Sequence, residues 1–164
     1  MSNEMTISRR AWCVSMLRTL AAGAVGGALL PPRAYAAGAP VSLTVYKDPS
    51  CGCCRKWVDH LAATGFAPIA RDRTDMDTLK NSLGVPPGLR SCHTAVAGRY
   101  LIEGHVPAAD IKRLLSTKPK DVLGLAVPGM PSGSPGMEMP GRSDRYDVIA
   151  FSASGKTRVF ASHG

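Results

Sequence analysis

Three cysteines within four positions stand between a predicted strand and a predicted helix, and this arrangement limits the possible folds of the chain more than any other feature. The motif is Cys51-Gly52-Cys53-Cys54. Residues 41–46 alternate apolar and polar side chains with β-branched content, which predicts a strand. Residues 53–64 carry apolar side chains at helical spacing and are followed by Gly65, which predicts a helix. The first cysteine therefore follows a strand, and the other two open a helix.

The segments that follow complete an alternating order of strands and helices. Further strands are predicted at residues 66–71, 94–97 and 100–103, and further helices at residues 75–83 and from Pro107 onward. The order strand, helix, strand, helix, hairpin, helix predicts a three-layer α/β domain. Because a C-x-x-C pair lies between the first strand and the first helix, we expect the thioredoxin-like fold class.

The chain changes character after Thr117. Residues 128–141, called the methionine segment below, are rich in proline and glycine, so no regular element is predicted there. The methionine segment contains Met130, Met137 and Met139. Strands are then predicted at residues 146–151 and 157–162. We therefore expect residues 118–164 to form a carboxy-terminal extension made of a methionine-rich loop and a β-hairpin.

Residues 1–36 have the features of an export signal. Arg9 and Arg10 form a charged region, an apolar run follows, and Ala34-Tyr35-Ala36 offers a small-x-small cleavage site. The arginine pair also resembles a twin-arginine signal. The apolar run is shorter than the about 20 residues that a membrane span needs. We therefore predict a periplasmic protein of the Gram-negative type without stable membrane insertion after cleavage, with an uncleaved anchor as the alternative.

The charge of the remaining chain argues against one class of partner. Residues 1–36 contain four arginines and one glutamate, so residues 37–164 keep 16 basic and 11 acidic side chains and a net charge of +5. The basic residues are scattered, whereas a nucleic-acid surface needs clustered positive charge. These 128 residues suit one domain with a single core. We expect a monomer that does not bind nucleic acid.

The spacing of the motif thiols fits two kinds of chemistry. Cys51 and Cys54 match a dithiol redox pair, and the amino-terminal end of a helix stabilises a thiolate, so Cys51 is expected to be reactive. A plain dithiol enzyme has no use for Cys53. Three thiolates within one helical turn can bind one or more soft metal ions, and thiolates select Cu(I) over hard cations.

Other donors in the sequence favour copper over zinc. Thiolate, thioether and imidazole side chains occur together, and zinc seldom recruits methionine. The candidates outside the motif are Cys92, His93, His105, His163 and the three methionines of the methionine segment. His60 is excluded because it follows Cys53 by seven residues, about 10 Å along a helix, and is predicted to be a solvated residue.

Each candidate also has a structural interpretation that the residues alone leave open. Four of the five cysteines lie in residues 37–164, and in an exported protein they could form two disulfides, Cys51–Cys54 and Cys53–Cys92. His93 could orient its loop, and His105 could cap the following helix. The three methionines could fill a core beneath a loop.

Five blocks of the sequence resemble the CopG-type periplasmic copper-resistance proteins, a family marked by a C-x-C-C motif and long described as a domain of unknown function. The blocks are KDPSCGCCRKWVDHL, SCHTAV, EGHVPAADIKRLL, GLAVPGMPSGSPGMEM and YDVIAF. The resemblance runs from about Val41 to the carboxyl terminus. It implies a thioredoxin-like domain with a metal-binding carboxy-terminal extension, encoded in copper-resistance gene clusters.

The resemblance also implies a chemistry. It implies a multinuclear copper centre bridged by cysteine sulfurs and an activity that interconverts Cu(I) and Cu(II). The residues that match the family's motif blocks are the thiols Cys51, Cys53 and Cys54, the additional thiol Cys92, and His105, Met130, Met137 and Met139.

We therefore predict an exported copper-binding protein that changes the oxidation state of copper, with Cys51 and Cys54 as its catalytic pair. The expected partners are copper ions and a periplasmic copper efflux system. Two other functions stay open. One is a thiol–disulfide oxidoreductase that uses the same pair, and the other is a Cu(I) chaperone or buffer without turnover.

Overall fold

A computed structural model describes residues 39–164 of the chain. The predicted export signal, residues 1–36, lies outside the described residues. In residues 39–164, no helix combines the length and the apolar character that crossing a bilayer requires.

One mixed sheet of seven strands organises the described residues, and three helices pack against it. The elements are β1 (Val41–Lys47), α1 (Gly52–Ala63), β2 (Phe66–Asp72), α2 (Met76–Leu83), β3 (His93–Ala97), β4 (Tyr100–Glu103), α3 (Ala108–Thr117), β5 (Gly124–Ala126), β6 (Tyr146–Phe151) and β7 (Thr157–His163). The strand order is β2-β1-β3-β4-β5-β6-β7. β1 pairs parallel to β2 and β4 pairs parallel to β5, whereas the other neighbours are antiparallel. The predicted fold class is confirmed, since this α/β arrangement is consistent with a thioredoxin-like fold.

Apolar side chains cover both faces of the sheet, because successive residues of a strand point to opposite sides. In β4, Ile102 packs in the larger core with residues of α1 and α3, whereas Leu101 packs in a smaller core near the end of α2. The larger core contains Trp57 and Leu61 of α1, both fully buried. The helices therefore form one layer on each side of the sheet.

The carboxy-terminal extension continues the same sheet. The predicted hairpin is present as β6 and β7, and its register shifts between Val148 and Ile149. β5, which the sequence pattern does not predict, joins this hairpin to β4. The extension therefore adds three strands to one edge of the sheet.

The methionine segment has no helix or strand and lies against the start of α1. Gly136 sets this contact, because a Cβ atom at that position would lie 2.8 Å from the backbone nitrogen of Trp57 and 2.9 Å from the carbonyl oxygen of Cys53. Gly136 also has a φ of +84°, which side-chain-bearing residues rarely adopt. Glycine at this position thus allows the segment to approach the cysteine motif.

Candidate metal centre

The amino-terminal turn of α1 carries a disulfide. Cys51 is the N-cap residue of α1, and its sulfur accepts a hydrogen bond from the backbone N–H of Cys54 at 3.3 Å. Cys51 and Cys54 are bonded to each other through their sulfurs. Cys54 is fully buried, whereas Cys51 is half-buried. In a reduced form, Cys51 is therefore the more accessible thiol of the pair.

The other two cysteines of the described residues are free and lie beside this disulfide. Cys53 Sγ is 3.5 Å from Cys51 Sγ and 3.8 Å from Cys92 Sγ. The second disulfide that the sequence left open, Cys53–Cys92, is therefore not formed. The sulfurs of Cys51, Cys53, Cys54 and Cys92 all lie within 4.8 Å of one another, and we call them the four-sulfur group.

Cys92 also belongs to a second cluster of donors. Its sulfur lies 3.1 Å from His105 Nε2 and 3.3 Å from His93 Nδ1. Cys92, His93 and His105 each offer one donor atom within 4.8 Å of the other two, and we call them the mixed group. The two groups therefore share one sulfur.

The orientation of His105 leaves its Nε2 available as a metal ligand. His105 Nδ1 lies 2.8 Å from the carbonyl oxygen of Pro135 in the methionine segment. A carbonyl oxygen only accepts, so Nδ1 carries the proton and Nε2 keeps its lone pair. Histidines that bind metals usually donate their other ring N–H to a carbonyl or carboxylate in this way.

His93 is fully buried between two aromatic rings. Its ring centroid lies 4.3 Å from that of Trp57 and 4.9 Å from that of His105. Within residues 39–164, His93 Nε2 is a buried side-chain nitrogen without a hydrogen-bond partner. Burial is the main reason that the pKa of His93 lies well below its usual range. The neighbouring His105 and Lys80 charges lower it further. The ring is therefore neutral, as a metal ligand must be.

Burial also sets the protonation of the other two members of the mixed group. It lowers the pKa of His105, although the Pro135 carbonyl and the Glu138 carboxylate oppose this effect. For Cys92, burial and the neighbouring Cys53 raise the thiol pKa to about 12. Cys92 is therefore a thiol at neutral pH, and its S–H donates to His105 Nε2. A metal ion that binds Cys92 must displace this proton.

A buried ion pair holds the backbone that carries Cys92 and His93. Glu103 is fully buried and accepts hydrogen bonds from the backbone N–H of Ser91 at 2.7 Å and from Thr94 Oγ1 at 2.6 Å. Lys80 Nζ forms an ion pair with Glu103 and donates to Thr94 Oγ1 at 2.9 Å. One carboxylate thus contacts the residue before Cys92 and the residue after His93. Sequence spacing does not predict this pair, although a glutamate at the end of the apolar strand β4 is an indication of it.

A cleft of about 520 Å³ opens beside Cys53. Met137, Glu138 and Met139 from the methionine segment line one side of the cleft, and residues of α1 line the other. Met139 is half exposed, and its sulfur accepts a hydrogen bond from Ser132 Oγ at 3.7 Å. Met130 does not line this cleft, and 55% of its surface is exposed. The predicted thioether ligands are therefore spread over the segment.

Two histidines lie outside both groups of donors. His163 ends β7, where its Nε2 lies 2.7 Å from Asp110 Oδ2 and its ring stacks on Tyr146. His60 is half-buried, and its Nε2 accepts from the backbone N–H of Ala108 at 3.5 Å. His60 is therefore less solvated than predicted, because the first residue of α3 contacts its ring.

The chemistry of these donors fits copper. Thiolates select Cu(I), and imidazoles suit copper in both oxidation states. The sulfur separations of 3.5 and 3.8 Å permit one ion to bind two sulfurs, since metal–sulfur bonds of about 2.3 Å place tetrahedral donors about 3.8 Å apart. The residues present can thus hold the metal that the sequence predicts.

Comparisons with known proteins identify relatives of this chain. A family model described as "Protein of unknown function, DUF411" matches residues 89–137, which include Cys92, His93 and His105. The solved structure of "Copper resistance protein copG- Form 1" is 47% identical, with a TM-score of 0.72, and covers 76% of this chain and 98% of its own. "Copper resistance protein copG- Form 2" is 46% identical, with a TM-score of 0.73, and covers 76% and 99%. A search of curated proteins finds no match.

Proposed function

The chain belongs to the family of the copper resistance protein CopG, and from this premise we propose that it interconverts Cu(I) and Cu(II) at a cysteine-bridged copper site. The observation that carries the proposal is the contact between a disulfide and two free thiols. Cys53 Sγ lies within 3.8 Å of both the Cys51–Cys54 disulfide and Cys92. Copper bound by these sulfurs is thus next to the Cys51–Cys54 pair, which gives or takes up two electrons as it changes between dithiol and disulfide.

Copper is the substrate in this proposal, and the four-sulfur group binds it. Cys51, Cys53, Cys54 and Cys92 supply soft thiolates for Cu(I), and His105 supplies an imidazole that also suits Cu(II). Met130, Met137 and Met139 supply thioethers as copper enters or leaves. One thiolate can bind two copper ions at once, and several such thiolates hold a multinuclear site together. The sulfurs of the four-sulfur group lie within 4.8 Å of one another, which supports such bridging.

The redox step follows from the number of electrons in a disulfide. In the reduced form, Cys51 and Cys54 give one electron each to two Cu(II) ions. One S–S bond forms, two Cu(I) ions result, and two thiol protons are released. In the reverse step, two Cu(I) ions become Cu(II), the S–S bond breaks, and the two sulfurs take up two protons. A one-electron metal and a two-electron disulfide balance only when two coppers react, which agrees with a multinuclear site.

The cellular setting of this activity is also part of the proposal. After removal of residues 1–36, residues 37–164 act as a single metal-binding domain in the periplasm, with residues 118–164 as its carboxy-terminal extension. The relatives named copper resistance protein support a role in resistance to copper. A periplasmic efflux system then receives the copper.

A thiol–disulfide oxidoreductase is the second candidate function. The pairing of a half-buried Cys51 with a fully buried Cys54 at a helix start supports it, because dithiol enzymes use an accessible attacking thiol at this position. In that case the redox activity survives complete removal of metal and is lost in Cys51→Ser. A Cu(I) chaperone or buffer would bind copper without changing its oxidation state.

An anaerobic single-turnover experiment separates these functions. The reduced full chain is mixed with two equivalents of Cu(II), Cu(I) is counted with a coloured chelator, and disulfides are mapped by peptide mass spectrometry. We expect two Cu(I) per chain and a Cys51–Cys54 disulfide. The matched control is the same chain with this disulfide already closed, in which Cys51 and Cys54 have no electrons to give. Copper that stays Cu(II) while Cys51 and Cys54 stay reduced would contradict the proposal.

A further inference from the structure

The mixed group, Cys92, His93 and His105, contains neither of the two sulfurs that form the disulfide. We propose that this mixed group is a separate mononuclear subsite, which binds one Cu(II) ion while the Cys51–Cys54 disulfide is closed. The inference rests on the proposed function in one respect only, that copper is the metal this chain handles. The subsite shares Cys92 with the four-sulfur group and needs neither Cys51 nor Cys54.

The distances within the mixed group are close to those that one ion requires. Metal–sulfur bonds of about 2.3 Å and metal–nitrogen bonds of about 2.0 Å separate thiolate and imidazole donors by about 3.5 to 3.7 Å. Cys92 Sγ lies 3.1 Å from His105 Nε2 and 3.3 Å from His93 Nδ1. The donors therefore need to separate by only a few tenths of an ångström when an ion enters.

His93 is incompletely paired as a structural residue. Buried polar groups are nearly always hydrogen-bonded, and a neutral imidazole has one N–H and one lone pair to satisfy. In the described part of the chain, His93 has a contact at Nδ1 and none at Nε2. The cost of an unsatisfied buried group is about 1–3 kcal/mol. The single S–H of Cys92 can serve only one of His105 Nε2 and His93 Nδ1, so a metal ion at Nδ1 would supply the partner that this lone pair lacks, while Nε2 stays unpaired.

His105 is held in the orientation that a ligand needs. Its Nδ1–H donates to the carbonyl oxygen of Pro135, so Nε2 presents a lone pair toward Cys92. The adjacent Gly136 fixes this carbonyl by lying against the backbone of α1. The subsite therefore depends on the methionine segment, although none of its three donors comes from that segment.

The donor set of the mixed group distinguishes it from the four-sulfur group. Two imidazoles and one thiolate are the equatorial ligands of blue-copper sites, which hold both Cu(II) and Cu(I). Four sulfurs favour Cu(I). The disulfide removes two of those four sulfurs and leaves the mixed group complete. The oxidised protein thus keeps one place for a copper ion after it has lost its all-thiolate site.

The test uses the full chain with the Cys51–Cys54 disulfide closed and free copper removed. Cu(II) sulfate is titrated anaerobically while visible absorption and electron paramagnetic resonance are recorded. We expect a sulfur-to-copper charge-transfer band that saturates at one equivalent, and magnetic coupling to two imidazole nitrogens. His93→Gln and His105→Gln should each weaken binding by roughly tenfold or more. The control His163→Gln should leave the band unchanged.

The nitrogen coupling in the unaltered chain tests the subsite even if a histidine variant fails to fold. Absence of the band at one equivalent, coupling to no imidazole nitrogen, or a band that persists in both folded histidine variants would overturn the inference. Oxidation of Cys53 and Cys92 to a disulfide in place of stable Cu(II) binding would also overturn it. Failure of the proposed function looks different, because the reduced chain would then leave Cu(II) unreduced while the closed chain still developed the band.

Discussion

Cys53 and Cys92 are 39 residues apart in the chain, yet their sulfurs lie 3.8 Å apart without forming a disulfide. Cys53 is carried by the first turn of α1, and Cys92 lies just before β3, which pairs with β1. The fold thus brings the cysteine motif and the Cys92 segment to the same end of the sheet. The pair therefore connects the disulfide of α1 to His93 and His105.

Replacing Gly136 should move the methionine segment away from the site. In Gly136→Ala the new Cβ would meet the backbone of Trp57 at 2.8 Å, so the segment must shift, and His105 loses its hydrogen bond to Pro135. We expect copper affinity to fall by about 10- to 100-fold, the usual effect of losing such a supporting hydrogen bond. Gly141→Ala is the matched control, because it has a φ of +72° but no atom within 4 Å of the new Cβ. Equal losses in the two variants would show that backbone strain alone is responsible.

Breaking the buried ion pair should destabilise the fold strongly. Lys80→Met leaves the Glu103 carboxylate buried without its cation, which typically costs about 3–5 kcal/mol of unfolding free energy. Asp75→Asn is the comparison, because Asp75 pairs with Arg73 where both side chains are exposed and such a pair contributes about 0–1 kcal/mol. Urea unfolding of the metal-free proteins measures both changes. A loss below 1 kcal/mol in Lys80→Met would contradict the structural role of the pair.

The sequence predicts the local features of this fold, but not its long-range pairings. The strand, turn and helix around Cys51 follow from hydrophobic spacing and from Gly65, because those elements depend on nearby residues. The same holds for the hairpin of β3 and β4 and for the hairpin of β6 and β7. β5 is only three residues long, which is too short for a periodic pattern, and its pairing with β4 depends on tertiary structure.

The candidate site follows the same division. The spacing of the motif cysteines predicts that they lie together, and residue type makes Cys92 and His105 candidate ligands. The spacing could not reveal that the sulfur of Cys92 contacts both His93 and His105. Lys80 and Glu103 also escaped prediction, because their pairing requires α2 to pack beside β4. The close approach of Gly136 to α1 is likewise a tertiary contact between two segments far apart in sequence.

Acid should weaken the fold through the buried histidines. An unfolded histidine has a pKa of about 6.5, whereas burial lowers the folded-state pKa of His93 well below that value and also lowers that of His105. The unfolded state therefore binds more protons, so stability is complete above about pH 6.5 and falls as pH decreases toward the folded-state pKa. Each proton contributes a slope of about 1.4 kcal/mol per pH unit. Urea unfolding between about pH 7.5 and pH 5.5 measures the slope, and an unchanged slope in His93→Gln would rule out this origin.

Copper binding should release the proton of Cys92. Burial and the neighbouring Cys53 raise the pKa of this thiol to about 12, so the metal-free protein holds the proton throughout the neutral range. Because the metal binds the thiolate, the affinity for Cu(I) should rise about tenfold per pH unit for this proton. Competition with a Cu(I) chelator from about pH 6.5 to pH 8.5 measures this dependence. Cys92→Ser should reduce the slope by one proton, and an identical slope in that variant would place the released proton elsewhere.

An anaerobic copper titration of the reduced full chain, followed by X-ray absorption spectra before and after oxidation, tests most directly whether the cysteine sulfurs bind copper in both oxidation states. We expect at least two Cu(I) ions per chain with sulfur neighbours at about 2.3 Å, and on oxidation conversion to Cu(II) with at least one copper ion kept per chain. Binding of less than one copper per chain, with Cys51, Cys53, Cys54 and Cys92 all in disulfides, would contradict it.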